Sequence, residues 1–328
     1  MIIIAYVCVS MVLLLLCGVT ESSDFSQHGL FWGSNAGSSA TISQENVWQN
    51  IDGASMDVNL MGGESKDVLI TYHVIVEGVK RNLLNSPLPS ENNKDVLQIR
   101  ALVDGVPFRM SSSYASTYLV EQRVFSELTA SFVAGGMTAG AGATNSNHTV
   151  LLQWKKIGTN VDRWIVSPPS MGNGYSLSAL ADHSKVWYAH ETNDLVLQQK
   201  GVWLDASKKL EFYLEQDTNI VIGYAMNVNP QVSKFVKDRK QEYVSSRIVI
   251  DGVAFTEGSE THGTGSWNPS AGCLNGYMSI KLTAGVHEVQ LQWRRMGDSF
   301  RSWSSSPSYL DGFASARNIF VLQEKYVK

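Results

Sequence analysis

The sequence predicts an all-β protein built from two tandem antiparallel β-sandwich modules of the jelly-roll kind. The first observation is an internal repeat, in which NHTVLLQW at 147–154 recurs as VHEVQLQW at 286–293. One offset of 139 residues, from Trp154 to Trp293, also relates Trp164 to Trp303. The second is a series of short strand-like runs with tight turns and almost no helical periodicity. The third is the length of 328 residues, which suits about two domains.

The N-terminal residues predict export. Residues 1–16 are nearly all apolar and precede small and polar residues, a pattern typical of a secretory signal peptide, which we assign to 1–20. A retained anchor is the alternative, although the apolar run is shorter than the roughly 20 residues of a membrane span. Residues 21–46 are interpreted as a polar leader arm with little regular structure. We therefore expect a secreted, extracellular protein with no membrane span in the mature chain.

The first module is predicted over residues 47–195. Asp104 and Gly105 stand between alternating apolar residues, the strongest short-range signal of a β-hairpin. A calcium-binding role for this aspartate is disfavoured, because no second acidic cluster lies at ligand spacing. Pro87 and Pro89 mark a loop, since proline donates no ladder hydrogen bond. Strands are expected at 56–60, 68–76, 96–109, 127–133 and 147–154.

The second module is predicted over residues 196–328 and repeats this order. Asp251 and Gly252 form the matching hairpin turn. For the closing strand of the first module, residues 195–198 are preferred to 185–189, because VLQQK resembles VLQEK near the C-terminus. No Pro-, Gly- or Ser-rich linker separates the modules, so we expect them to pack together. Strands are expected at 210–215, 220–228, 244–256, 276–282, 286–293 and 318–323.

The repeated strand can be oriented by its period of two. In the second copy the apolar positions ending at Trp293 alternate with Glu288, Gln290 and Gln292, so the apolar set faces the core. The same orientation in the first copy points Leu151 outward, as a candidate contact surface between modules or subunits. His148 and His287 begin the two strands, where we expect hydrogen-bonded rim histidines and no metal ligands.

Candidate ligand-binding residues come from one loop and from two matched basic pairs. Trp267 and Asn268 lie in a loop rich in Gly and Ser, where an exposed indole can stack on a sugar while polar neighbours bind its hydroxyls. The alternative is a loop plug that packs on its own module. The basic pairs follow the repeated strands and fit either an anionic ligand or solvated strand ends; they are Lys155, Lys156, Arg294 and Arg295.

Two further residues carry possible covalent chemistry. Cys273 is the lone cysteine outside the presumed signal peptide, so it is either a small, partly buried residue or one half of an interchain disulfide. Asn147, His148 and Thr149 form an N-x-T sequon, which predicts glycosylation of Asn147 if the source organism glycosylates.

Motifs of established catalytic chemistry are absent from the sequence. HExxH, GxSxG, CxxC and phosphate-loop patterns do not occur. His190 and Glu191 are adjacent, but neighbours on a strand point to opposite faces. The net charge is -4 with no long basic run, so we do not expect nucleic acid as a partner. The seven histidines are scattered, and we expect no metal or other cofactor.

The order of elements resembles the modules of the C1q and tumour-necrosis-factor superfamily. The resemblance rests on a tryptophan at each module's start, Trp48 and Trp203, on a polar turn after a long strand, and on the closing segment 310–313. It implies a jelly roll, extracellular binding and trimeric assembly. Tandem copies and the lack of a collagen-like Gly-X-Y stretch depart from that pattern and put the trimer in doubt.

These observations predict a secreted or cell-surface protein that is not an enzyme and that binds a glycan or an extracellular protein. The alternative is a structural subunit that self-assembles as a homo-oligomer in a coat, matrix or filament. A third reading is an extracellular carbohydrate-active enzyme, whose two carboxylates need only be close in space.

Overall fold

The computed structural model describes residues 30–35, 39–61, 65–80, 95–117, 123–137, 145–159, 161–166, 175–181, 185–231, 242–255, 261–265, 272–297, 302–305 and 317–323. Strands dominate these residues, with one 3-10 turn at Arg109–Ser111, so the all-β prediction is confirmed. Among the same residues there is no helix with the length and apolar character of a membrane span.

The first module is a sandwich of two antiparallel sheets. Its inner sheet has β4 at the centre, paired with β8, β10 and β11, while β1 and β2 extend it. Its outer sheet runs β3-β9-β5-β6, with β7 also on β5. The strands are β1 (Leu30–Asn35), β2 (Ala40–Ile42), β3 (Gln49–Met61), β4 (Lys66–Val79), β5 (Asp95–Val103), β6 (Val106–Pro107), β7 (Ser113–Thr117), β8 (Arg123–Met137), β9 (Asn145–Ile157), β10 (Arg163–Val166) and β11 (Tyr175–Leu180).

The second module repeats this topology, with two strands, β14 and β15, in the place of β3. Its inner sheet centres on β16, and its outer sheet contains β14, β15, β17, β18, β19 and β21. The strands are β12 (Lys185–Glu191), β13 (Leu195–Leu197), β14 (Leu204–Asp205), β15 (Leu210–Leu214), β16 (Thr218–Gln231), β17 (Glu242–Ile250), β18 (Val253–Phe255), β19 (Thr261–Gly265), β20 (Gly272–Leu282), β21 (Gly285–Met296), β22 (Ser302–Ser305) and β23 (Arg317–Gln323).

The opening strands of each module differ from the sequence-based expectation. β12 pairs with β23 and β13 with β22, just as β1 pairs with β11 and β2 with β10. Residues 185–195, expected in the first module, therefore hydrogen-bond within the sheets of the second. β11 takes the closing position in the first module that was expected for residues 195–198. The region 21–46, expected to have little regular structure, contains β1 and β2.

Both predicted hairpin turns are confirmed. Asp104 and Asp251 have φ of 52° and 51°, and the glycine after each has φ of 78°. Positive φ at both central positions defines the tight turn that matches strand twist, and glycine adopts it without a Cβ clash.

Each module closes over its own apolar core. Val150, Leu152, Val289 and Leu291 are fully buried, as the period-two alternation predicted. Two tryptophans per core are at most 2% exposed; they are Trp154, Trp164, Trp293 and Trp303. A ring of this size removes about 200 Å² from water, an upper limit of roughly 5 kcal/mol per tryptophan.

The two modules pack against each other through their inner sheets, each using the face that is turned away from its own core. We call this contact the seam; its buried apolar centre is Leu69, Val133, Phe320 and Leu322. Polar contacts surround that centre: the Ser131 and Tyr277 hydroxyls are 2.6 Å apart, and Asn318 Nδ2 donates to Met110 O at 3.1 Å. The modules thus pack together, as the lack of a linker indicated.

Candidate functional site

A cleft of about 380 Å³ opens at the seam, with walls from both modules. That volume lies within the range of small-molecule sites. The first module supplies Asp67, Phe108, Met110, Ser131, Phe132, Val133, Gly135 and Gly136; the second supplies Tyr188, Ala189, His190, Asn318, Ile319 and Phe320. We call it the seam cleft.

Asp67 brings a carboxylate to the cleft through an irregularity in the sheet. Between the pairs Lys66–Met137 and Val68–Ala134 the register of β4 against β8 shifts, because Asp67 on β4 lies opposite two residues of β8, Gly135 and Gly136. Such bulges re-aim a side chain. Asp67 Oδ1 accepts a hydrogen bond from Gly136 N at 2.9 Å, and Gly136 itself has a φ of 68°. The bulge and the glycine together orient this half-buried carboxylate.

Tyr188 and His190 bring two aromatic rings to the opposite wall. They lie two residues apart on β12 and so share one face of the strand. Trp187 lies on the opposite face and packs on Phe212, with 5.5 Å between ring centroids. The rings of Tyr188 and His190 are nearly parallel, at 21° and 6.5 Å. Both side chains are exposed, Tyr188 at 40%.

The two walls approach closely at Gly135. A Cβ at this position would stand 2.9 Å from the Tyr188 hydroxyl and 3.3 Å from Asp67 Oδ1. The phenol and the carboxylate therefore lie on the same side of Gly135. The cleft thus combines a carboxylate, a phenol and an imidazole that can bind, donate or accept protons on a polar ligand. Among the described residues no group of three or more His, Cys, Asp or Glu side chains is placed to hold a metal ion.

The first members of the predicted basic pairs stack on the tryptophans that begin the modules. Lys155 Nζ lies 5.0 Å from the Trp48 ring centroid, and Arg294 Cζ lies 4.4 Å from that of Trp203. Arg100 and Arg247 stack on the same two rings, at 4.0 and 4.2 Å. These cation–π contacts attach each tryptophan to its outer sheet.

The second members of the basic pairs lie inside the molecule. Lys156 is 2% exposed and its Nζ lies 3.5 Å from Glu45 Oε1; Arg295 is 7% exposed and donates to Gln198 O at 3.1 Å. None of the four cations lines the seam cleft. Their role as ligand contacts stays a prediction.

The rim histidines are hydrogen-bonded, as predicted. His148 Nδ1 and Asp104 Oδ2 are 2.7 Å apart, and the same distance joins His287 Nδ1 to Asp251 Oδ2. The other carboxylate oxygen accepts a hydrogen bond from the backbone N–H of the residue after each histidine, at 2.9 Å. We call each of these aspartate–histidine contacts a clasp, and each clasp holds a hairpin turn against the repeated strand.

In the second clasp the pKa of His287 is raised and the pKa of Asp251 is lowered. Burial lowers the pKa of His287, but the hydrogen bonds to Asp251 and Thr283 and the Asp251 charge outweigh it and raise the pKa. Burial raises the pKa of Asp251, but the bonds from His287 and Glu288 N and the His287 charge lower it overall.

Three other predicted sites are described by the structure. Cys273 is half-buried and reduced, and its Sγ donates across the seam to Thr129 O at 2.9 Å; burial raises its pKa to about 12. A thiol that stays protonated reacts poorly, because the thiolate is the form that makes a disulfide, so this environment disfavours an interchain disulfide. Asn147 is exposed on β9, and Leu151 is half-buried on the outer sheet. Glycosylation and contact roles stay predictions.

The remaining predicted site residues lie outside the described residues. These are Trp267 and Asn268, together with the signal peptide at 1–20.

Sequence reasoning did not find the seam cleft. Asp67, Ser131, Tyr188 and Asn318 are far apart in the sequence and share no motif spacing. Adjacent His190 and Glu191 do point apart: His190 lines the cleft, whereas Glu191 Oε2 lies 3.4 Å from buried Arg317. The bulge of β8 opposite Asp67 was the missed feature, because it becomes visible only once β4 and β8 are paired.

Comparisons with known proteins give likeness in fold. No protein-family model and no curated protein matches the chain. Among solved structures, PNGF-II matches 91% of this chain at 11% identity with a TM-score of 0.34, and this chain spans 66% of its length. PNGase F, a glycosylasparaginase from Flavobacterium meningosepticum, matches 88% of this chain and 97% of its own at 7% identity and a TM-score of 0.36. The tandem CBM22 domains of Paenibacillus barcinonensis Xyn10C match 89% and 97% at 7% identity and a TM-score of 0.22.

These structures correct the functional expectation. The prediction of a non-enzymatic binding protein is wrong on this comparison, because the structures that span most of the chain include an asparagine amidase and a glycosylasparaginase, which are enzymes. At these identities and TM-scores the likeness assigns neither a family nor an activity to this chain.

Proposed function

We propose that the chain is an exported carbohydrate-active enzyme that hydrolyses a glycan linkage in the seam cleft. The observation that carries the proposal is the Asp67 carboxylate, oriented by Gly136 N at the bulge of β8 and lying with the Tyr188 hydroxyl on the same side of Gly135. Export rests on the apolar N-terminal run alone. The resemblance to C1q-type modules stays a prediction.

Asp67 serves as the general base in this proposal. Its carboxylate takes a proton from a water molecule while that water's oxygen bonds to the anomeric carbon and the bond to the leaving group breaks. His190 donates a proton to the departing atom, because among the described residues lining the cleft it is the imidazole, a side chain that commonly serves as a general acid. The Tyr188 phenol hydrogen-bonds the substrate between them.

The seam supports this chemistry by holding the two groups on separate modules. Asp67 stands on β4 and His190 on β12, and the packed faces around Leu69 and Phe320 keep these strands together. Water-excluding apolar side chains, among them Phe108 and Met110, flank the polar groups and strengthen their electrostatic effect on a bound substrate.

Turnover of a panel of oligosaccharides and glycoconjugates tests the proposal. Wild type is expected to release product, and Asp67→Asn is expected to lower kcat by about 10²- to 10⁴-fold with an unchanged melting temperature. Asp52→Asn, an exposed aspartate on β3 of the outer sheet, is the matched control and keeps full activity. Full activity in Asp67→Asn, or no turnover across the panel by wild type, contradicts the proposal.

A further inference from the structure

Resting on that function, we infer that Tyr188 and His190 form a platform on which a neutral pyranose ring of the substrate stacks. The platform belongs to the second module, whereas the carboxylate belongs to the first. A bound sugar therefore contacts both modules at once.

The shape of the platform carries the first step. Tyr188 and His190 stand at alternate positions of β12, and their rings form a nearly parallel stacked pair with 6.5 Å between centroids and 21° between planes. The apolar C–H face of a sugar ring packs well on an exposed aromatic face of such a pair. Tyr188 and His190 are exposed on the cleft wall, so the platform is open to a ligand.

The backing of the platform carries the second step. Tyr188 lies opposite Phe320 and His190 opposite Asn318 in the pairing of β12 with β23. Phe320 is 1% exposed and packs on Tyr277 at 5.9 Å between ring centroids. Asn318 Nδ2 donates to Met110 O at 3.1 Å. A paired strand and a packed seam thus hold the platform in place before a ligand arrives, which lowers the ordering cost of binding.

The facing wall sets the chemical class of the ligand. Gly135 leaves room in front of the Tyr188 hydroxyl that a Cβ would fill. Beyond it Asp67 presents oxygens that accept sugar hydroxyls. Among the described lining residues Asp67 is the acidic side chain and no lysine or arginine lies beside it, so the anionic group of a uronate or sulfated sugar bound at this wall meets the negative charge of Asp67. Neutral pyranosides fit this wall.

Calorimetric titration with a neutral hexaose, such as chitohexaose, mannohexaose or cellohexaose, and with a hexauronate tests the inference. At least one neutral hexaose is expected to bind wild type and Asp67→Asn, with the hexauronate weaker by on the order of tenfold or more. Tyr188→Ala is expected to weaken binding about tenfold, and Tyr188→Phe less than about threefold, because the phenyl ring keeps the stacking surface.

The controls separate the platform from its surroundings. Tyr213→Ala removes a tyrosine that is 53% exposed on β15, outside the cleft lining, and is expected to leave affinity unchanged. Gly135→Ala is expected to weaken binding without loss of folding, because its Cβ enters the cleft next to Tyr188. His190→Ala gives a second test of the platform.

Each outcome decides between the two proposals. Unchanged affinity in both Tyr188→Ala and His190→Ala, preference for the hexauronate, or no binding of any neutral hexaose overturns the platform. Neutral-sugar binding without turnover leaves the platform standing and removes the enzymatic function. Turnover that persists in Tyr188→Ala with an unchanged KM removes the platform and leaves the function.

Discussion

At the scale of single residues, His287 shows how hydrogen-bond geometry selects a protonation state. Its Nδ1 lies 2.7 Å from Asp251 Oδ2 and its Nε2 lies 2.8 Å from Thr283 O, and both neighbours are acceptors. A neutral imidazole carries one N–H, whereas the imidazolium carries two. The imidazolium therefore satisfies both contacts, in agreement with the raised pKa of His287.

This geometry predicts a defined pH dependence of stability. Because the folded pKa of His287 is raised above 6.5, its contribution is complete below that pH and is lost as pH rises through the folded value. Because the folded pKa of Asp251 is lowered below 3.8, its contribution is complete above that pH and is lost as pH falls. The clasp thus contributes most between these two values.

Denaturant unfolding of His287→Gln across about pH 4 to 9 measures the effect. The variant is expected to lose about 1 kcal/mol of unfolding free energy near pH 5.5, and less as the pH rises through the raised pKa of His287. His73→Gln is the comparison, since its 3.8 Å pair with Glu127 is more exposed and its loss costs a few tenths of a kcal/mol. An equal loss at all pH values in His287→Gln argues against an imidazolium.

At the scale of the strands, Gly223 on β16 shows what the seam demands of its central strands. A Cβ there would stand 2.8 Å from Phe320 Cε2 and 2.8 Å from Tyr277 Cδ1, inside the packed contact of those rings. Gly223→Ala is expected to cost about 1–3 kcal/mol of unfolding free energy, the range for overpacking. Gly272→Ala on β20 is the control, because nothing lies within 4 Å of its Cβ position. Equal melting temperatures of both variants would show that the rings move aside.

The same scale shows what the sequence could predict. The period of two in β9 and β21 identified the core-facing residues that end at Trp154 and Trp293, because one face of each sheet is buried and the other is not. The opening strands β12 and β13 were misassigned because likeness between VLQQK and VLQEK is local, whereas strand pairing is decided by partners up to 138 residues away, as between Lys185 and Gln323.

At the scale of the whole molecule, the seam creates a site that neither module holds alone. Asp67 lies opposite a bulge in the first module, and Tyr188 lies on the opening strand of the second. No local spacing relates them, so a motif search could find neither the cleft nor its carboxylate. The predicted duplication was therefore informative about fold, while the candidate site arises from the contact between the duplicates.

The electron density of a neutral oligosaccharide in crystals of Asp67→Asn tests the central claim most directly. We expect one sugar ring stacked on Tyr188, with its glycosidic linkage within about 3 Å of the residue 67 side chain or one bridging water. Sugar density on an outer sheet or beside residues 267–268, with the seam cleft unoccupied at saturating ligand, contradicts the account.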